Sequence, residues 1–205
     1  MSPPPPMTLS DRARALFAGI TARAGMTVHR LGIHPDTITL IGLGVVAIGS
    51  AFIAMGALQF GGLLLVVSLP LDALDGAVAR AMGRTDRFGA VLDSTLDRYA
   101  DGLIFGALAY YFATQDRLDQ LLIALAALMG SFVVSYVRAR AGEADLSVKI
   151  GLFSRFERVL ALLVALLIPP LLLPCLWLLA IGTNITGVQR LWYVYQHLDK
   201  DARLD

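Results

Sequence analysis

Four aspartates, Asp72, Asp75, Asp93 and Asp97, stand where chemistry could be done. Asp72 and Asp75 are three residues apart and Asp93 and Asp97 four apart, so in helices each pair occupies one face. The connection from Ala81 to Phe88 is short, which makes the two helices neighbours and lets the acidic faces meet. An ionised Asp within a membrane helix costs about 2.5–3.5 kcal/mol on insertion scales, and convergent carboxylates also repel one another. A hard divalent cation, Mg²⁺ or Mn²⁺, compensates both, and shared carboxylates can bridge two such ions. The stretch holds no Cys or His, which disfavours zinc. Salt bridges to Arg80, Arg84, Arg87 and Arg98 are the alternative, but ordinary ion pairing does not require four carboxylates to converge. Asp101 continues the stripe one turn deeper, as a hydrogen-bonding partner rather than a ligand. Gly76 leaves the backbone beside Asp75 open to a bulky group. Arg80 follows at the mouth of the site, suited to holding a phosphate.

The elements that carry these residues belong to a membrane. The 205-residue chain is 57% hydrophobic and 16% charged, with mean hydropathy +0.68, which excludes an ordinary soluble domain. A net charge of +1 gives no broad positive field, so nucleic acid is not a partner. The single cysteine, Cys175, cannot build a disulfide framework. A helix needs about 20 residues to cross the hydrocarbon layer. Ile38 to Gly56 supplies the first span. The second runs from Phe60 to about Arg80 through Asp72 and Asp75. The third reaches span length by extending Gly102 to Gln115 upstream through Asp101, Asp97 and Asp93, and Gln120 to Val137 is the fourth. Val159 to Gln189 is interrupted by Pro169, Pro170 and Pro174 and reads as two spans meeting at a turn. With six spans and both termini cytoplasmic, every Lys and Arg except Arg117 falls on the inner side.

The expected fold is therefore an all-α membrane protein: six transmembrane helices preceded by an amphipathic interfacial helix in the plasma (inner) membrane, its acidic site cytoplasmic. Residues 1–7, with Pro3 to Pro6, form a disordered tail that lacks the features of a secretory signal. Residues 8–32 form the juxtamembrane helix, with Ala13, Leu16, Phe17, Ile20 and Ala24 on one side. Residues 33–198 form the six-span domain, and 199–205 a cytoplasmic tail.

Asp72, Asp75, Gly76, Ala79, Arg80, Gly89, Asp93 and Asp97 read D-x2-D-G-x2-A-R-x8-G-x3-D-x3-D, and this pattern resembles the signature of the CDP-alcohol phosphotransferases, with every specified position filled. The resemblance implies an integral membrane enzyme that moves a substituted phosphoryl group from a CDP-linked lipid to an alcohol and releases CMP. It implies that Asp72, Asp75 and Asp93 bind two divalent ions, Mg²⁺ or Mn²⁺, with Asp97 contributing to the second and acting as general base toward the acceptor hydroxyl. It also maps nucleotide contacts onto Asp36, Thr37, Ile38, Thr39, Gly76 and Arg80. Members of the family carry a small hydroxyl residue two places before the Phe-Gly pair; here Asp86 stands there with Thr85 beside it, and both are assigned to the nucleotide.

The acceptor is read from cations outside the motif. Arg138, Arg155 and Arg190 fall at the cytoplasmic ends of spans four, five and six, where three guanidinium groups could enclose a dianionic phosphate. Topology alone also gathers arginine there. The segments SYVRARA, FSRFERV and VQRL resemble the inositol-phosphate branch of the family, the phosphatidylinositol phosphate synthases. The resemblance implies transfer from CDP-diacylglycerol to inositol 1-phosphate, with membrane lipid as surroundings and a homodimer as assembly. Glycerol 3-phosphate is the competing acceptor, and a cation transporter the reading from another class. Gly102 and Gly106 form a small-xxx-small pair on span three, fit for helix contact within the bundle or across a dimer.

Overall fold

The computed structural model describes Gly19 and residues 22–83, 87–148 and 150–201. The tail 1–7, most of the first half of the juxtamembrane helix, and Thr85 and Asp86 lie outside the described residues. Within them the only regular structure is helix, and no strand occurs. A first helix, α1, covers 22–30. It is followed by α2 (Pro35–Ala54), α3 (Leu58–Ala81), α4 (Arg87–Thr114), α5 (Leu118–Glu143), α6 (Arg155–Leu167), a 3₁₀ turn at Pro169–Leu171 and α7 (Leu172–Asp201).

Local chemistry sets these boundaries. His34 caps α2, its Nδ1 accepting from Asp36 N–H at 3.3 Å, and Pro35 takes the first helical position, where its missing N–H costs nothing. Between α2 and α3 the chain reverses through Gly56, whose φ of +85° favours a residue without Cβ. Ser154 opens α6 and donates its hydroxyl to the Glu157 carboxylate three residues on, joining the ends of a capping-box sequence. The uncharged run from Val159 to Gln189 breaks at Pro169 and Pro170 as expected, while Pro174 falls in the first turn of α7, where proline is tolerated.

Packing brings α2 against α3 and α4, α5 against α4 and α7, and α6 against α3 and α7. The core runs down the middle through Ile53, Leu65, Leu108, Phe112, Leu166 and Leu176. The α5–α7 seam is close: a Cβ on Gly130 would come within 2.0 Å of Thr183 Oγ1, so only glycine fits. Leu40, Ile48, Val67, Leu122 and Ile181 are each more than half exposed, an apolar exterior that water would not stabilise.

Among the described residues, four helices are long and apolar enough to cross a membrane: α2, α3, α5 and the Pro169–Leu198 segment that includes most of α7. The other two expected spans form helices of different character. α4 has 28 residues but carries the acidic stripe, and α6 has only 13. Of the juxtamembrane helix, 22–30 is helical and packs on α3: a Cβ on Gly25 would lie 2.8 Å from Ala77 Cβ, one residue beyond Gly76.

Candidate active site

Asp72 and Asp75 project from one face of α3 and Asp93 from α4. One carboxylate oxygen from each lies within 4.8 Å of the others. Asp75 is the buried member, 7% exposed, and both its oxygens hold a donor. Thr39 Oγ1, from α2, donates to Oδ2 at 2.7 Å, and the Gly76 N–H donates to Oδ1 at 2.5 Å. These bonds fix the carboxylate plane while leaving a lone pair on each oxygen for a ligand. Three convergent carboxylates with no nitrogen or sulfur among them are the donor set of a hard divalent cation, so the residues fit Mg²⁺ or Mn²⁺.

Asp97, expected as a fourth ligand, is not one of this group. Its Oδ1 lies 2.7 Å from Arg155 Nη2, and Arg98 Nη1 is 3.9 Å from its Oδ2. The same Arg155 guanidinium reaches Asp72, with Nη1 3.1 Å from Oδ1 and 3.2 Å from Oδ2. Arg155 is the first residue of α6, so a third helix spans the two acidic ones with a single planar cation. Among the described residues, Arg155 and, one turn further along α6, Arg158 stand on the aspartate stripe together with Arg98. Arg158 is 4% exposed, and its Nη2 lies 3.3 Å from Asp101 Oδ2, which also accepts from the Ser131 hydroxyl of α5. Asp101 accordingly ties α4 to α5 and α6 below the metal group.

The residues mapped to the nucleotide divide. Thr39 is bonded to Asp75, and Ile38 is buried in the packing. Asp36 donates its N–H to His34 Nδ1, its own Oδ2 lying 3.4 Å from the same nitrogen, and Thr37 is exposed. A Cβ on Gly76 would meet only Arg80 Nη1, at 3.4 Å, so the backbone there is open apart from the arginine expected to hold a phosphate.

The three acceptor arginines differ in surroundings. Arg155 engages Asp72 and Asp97. Arg138 is exposed and lines a cavity of about 300 Å³ with Gly142, Asp145 and Ser147. Arg190 is 3% exposed; its Nε donates to the Ile150 carbonyl and its Nη1 to the Val134 carbonyl, both at 2.9 Å. It clamps the segment before α6 onto α5 and α7, with Arg138 and Arg158 as cationic neighbours. Sequence reasoning passed over Arg158 and Ser131. The i, i+3 spacing of Arg155 and Arg158 could have marked the first; nothing local marks the second.

A family model described as CDP-alcohol phosphatidyltransferase matches residues 32–189. The chain is 38% identical over 193 residues to a phosphatidylinositol phosphate synthase of Mycobacterium tuberculosis, covering 89% of each. It is also 38% identical over 196 residues to one of Streptomyces avermitilis, covering 89% of this chain and 80% of the relative. Its fold is similar to crystal structures of the M. tuberculosis enzyme. With CDP-DAG bound, the TM-score is 0.80 at 35% identity, covering 86% of this chain and 94% of the other. In complex with manganese and citrate it is again 0.80 at 35%, covering 85% and 88%. Because the match spans most of its length and includes the helices that carry the three convergent carboxylates, the chain belongs to the CDP-alcohol phosphatidyltransferase family.

Proposed function

We propose that this protein transfers the phosphatidyl group from CDP-diacylglycerol to inositol 1-phosphate, giving phosphatidylinositol phosphate and CMP. The observation that carries the reading is the meeting of Asp72, Asp75 and Asp93, with arginines from α5, α6 and α7 on the same chain. The relatives named for this activity, one of them solved with CDP-DAG, support it.

Asp72, Asp75 and Asp93 hold the divalent ions, Asp75 kept in orientation by Thr39. When bound, two such ions neutralise the diphosphate and stabilise CMP as it leaves. Asp97 accepts the proton of the inositol hydroxyl and aims its oxygen at the phosphorus that carries diacylglycerol; the new P–O bond forms as the bond to CMP breaks. The charge of Arg80 receives the diphosphate beside the open backbone at Gly76, and Asp36, Thr37, Ile38 and Thr39, with Thr85 and Asp86, are assigned to the nucleotide. Arg138, Arg155 and Arg190 supply the positive charge that favours a phosphorylated acceptor over free inositol or serine.

The six-span arrangement, with both termini and the site on the cytoplasmic face of the plasma membrane, is favoured by the distribution of Lys and Arg. In it α4 and α6 cross beside the four strongly apolar helices, residues 8–32 lie at the interface, 33–198 form the catalytic domain and 199–205 its tail. A homodimer is favoured by Gly106 on α4, where an added Cβ would meet nothing within 4 Å, so that this small-residue face is open to a second copy.

The test incubates membranes containing the protein with CDP-diacylglycerol, Mg²⁺ and each acceptor in turn. Phosphatidylinositol phosphate from inositol 1-phosphate is expected. Product from glycerol 3-phosphate with none from inositol 1-phosphate would overturn the acceptor assignment.

A further inference from the structure

We infer that Arg155 is an exchangeable counter-ion: its guanidinium holds Asp72 and Asp97 when metal is absent, and metal binding releases it to the acceptor's phosphate, so that the two ligands bind cooperatively. This rests on the function proposed above and adds a regulation of the same site. Arg155 Nη1 addresses both oxygens of Asp72, which is also a member of the convergent group suited to a divalent ion. A cation on the remaining lone pairs of Asp72 would stand close to the guanidinium, and two positive charges held that close repel. Arg155 Nη2 is 2.7 Å from Asp97, the residue that must be free to receive a proton from the acceptor. Arg155 Nε is buried without a hydrogen-bond partner, so the contacts that hold its head are those made by the terminal nitrogens. Freed from Asp72, the group carries a positive charge that a phosphate dianion satisfies. Each ligand therefore removes part of the cost of binding the other, and linkage requires the effect to be reciprocal.

The full chain in detergent micelles is titrated with Mn²⁺, free ion being read by electron paramagnetic resonance. Without acceptor, Arg155→Ala is expected to bind Mn²⁺ about tenfold more tightly than wild type, since the competitor is gone. Equal or weaker binding by a variant that still unfolds cooperatively overturns the exchange. In wild type, saturating inositol 1-phosphate is expected to tighten Mn²⁺ binding several-fold, an effect that Arg155→Ala abolishes. This arm needs no variant to fold, and wild-type Mn²⁺ affinity that no phosphorylated acceptor changes overturns the proposal by itself. Coupling to glycerol 3-phosphate but not to inositol 1-phosphate would leave the exchange standing and refute the acceptor assigned above.

Discussion

Replacing Asp75 by Asn should make the protein more stable without metal and less responsive to it. The three carboxylates present oxygens within 4.8 Å of one another, and two unit charges at that separation repel by about 3 kcal/mol at an effective dielectric of 20. Asp72 is 43% exposed, so solvent screens its share, and Arg155 already offsets part of its charge. A net relief of about 1–3 kcal/mol is left for Asp75→Asn in chelator. Asn keeps one oxygen for the Thr39 hydroxyl but turns its amide nitrogen toward the Gly76 N–H, which puts the net relief at the lower end of that range. At roughly 2–4 °C per kcal/mol for a chain of this size, the variant should unfold a few degrees above wild type in EDTA. In Mn²⁺ the order should reverse, because wild type gains the binding free energy of the ion and the variant loses a ligand. Thermal unfolding in detergent micelles, with and without Mn²⁺, reads both arms. A variant that is less stable than wild type in EDTA, yet shifted equally by Mn²⁺, would refute the idea that these carboxylates are held together for a cation.

Further outcomes follow from neighbouring residues. Asp97→Asn should lower CMP release by 10²–10⁴-fold, the usual range for a lost general base, while Mn²⁺ binding measured by equilibrium dialysis persists; loss of both would make Asp97 a principal ligand instead. Thr39→Val removes the donor to Asp75 Oδ2 and should weaken Mn²⁺ binding by roughly 10–100-fold, as lost outer-shell partners do, and cost about 1–3 kcal/mol of stability in EDTA because a buried carboxylate oxygen loses its donor. Arg138→Ala, at an exposed position, should raise KM for the acceptor without lowering stability. Arg190→Ala should also cost about 1–3 kcal/mol, because the Ile150 and Val134 carbonyls lose their donor. Equal melting temperatures for the two arginine variants would contradict the clamp described for Arg190.

What was legible beforehand was local. The i, i+3 and i, i+4 spacings of Asp72/Asp75 and Asp93/Asp97 give their faces directly, and Pro169 with Pro170 marks the end of α6 without reference to any other element. The partners of these aspartates were not legible, because they are set by how helices distant in sequence pack. Thr39 reaches Asp75 across 36 residues and Arg155 reaches Asp72 across 83. Arg190 shows the same limit from the other side. A cation at a helix end reads as free to meet a ligand, yet its burial between α5 and the segment before α6 gives much of its bonding to main-chain carbonyls. Arg158 follows the same rule, since its partner Asp101 lies 57 residues away on α4.

α6 has 13 residues and so is about 20 Å long, while the hydrocarbon layer is about 30 Å thick. In the arrangement proposed above, the turn at Pro169–Leu171 then stays beneath the outer headgroups unless the surrounding lipid thins to meet it. In that arrangement the mismatch in length loads the helix whose first residue is Arg155.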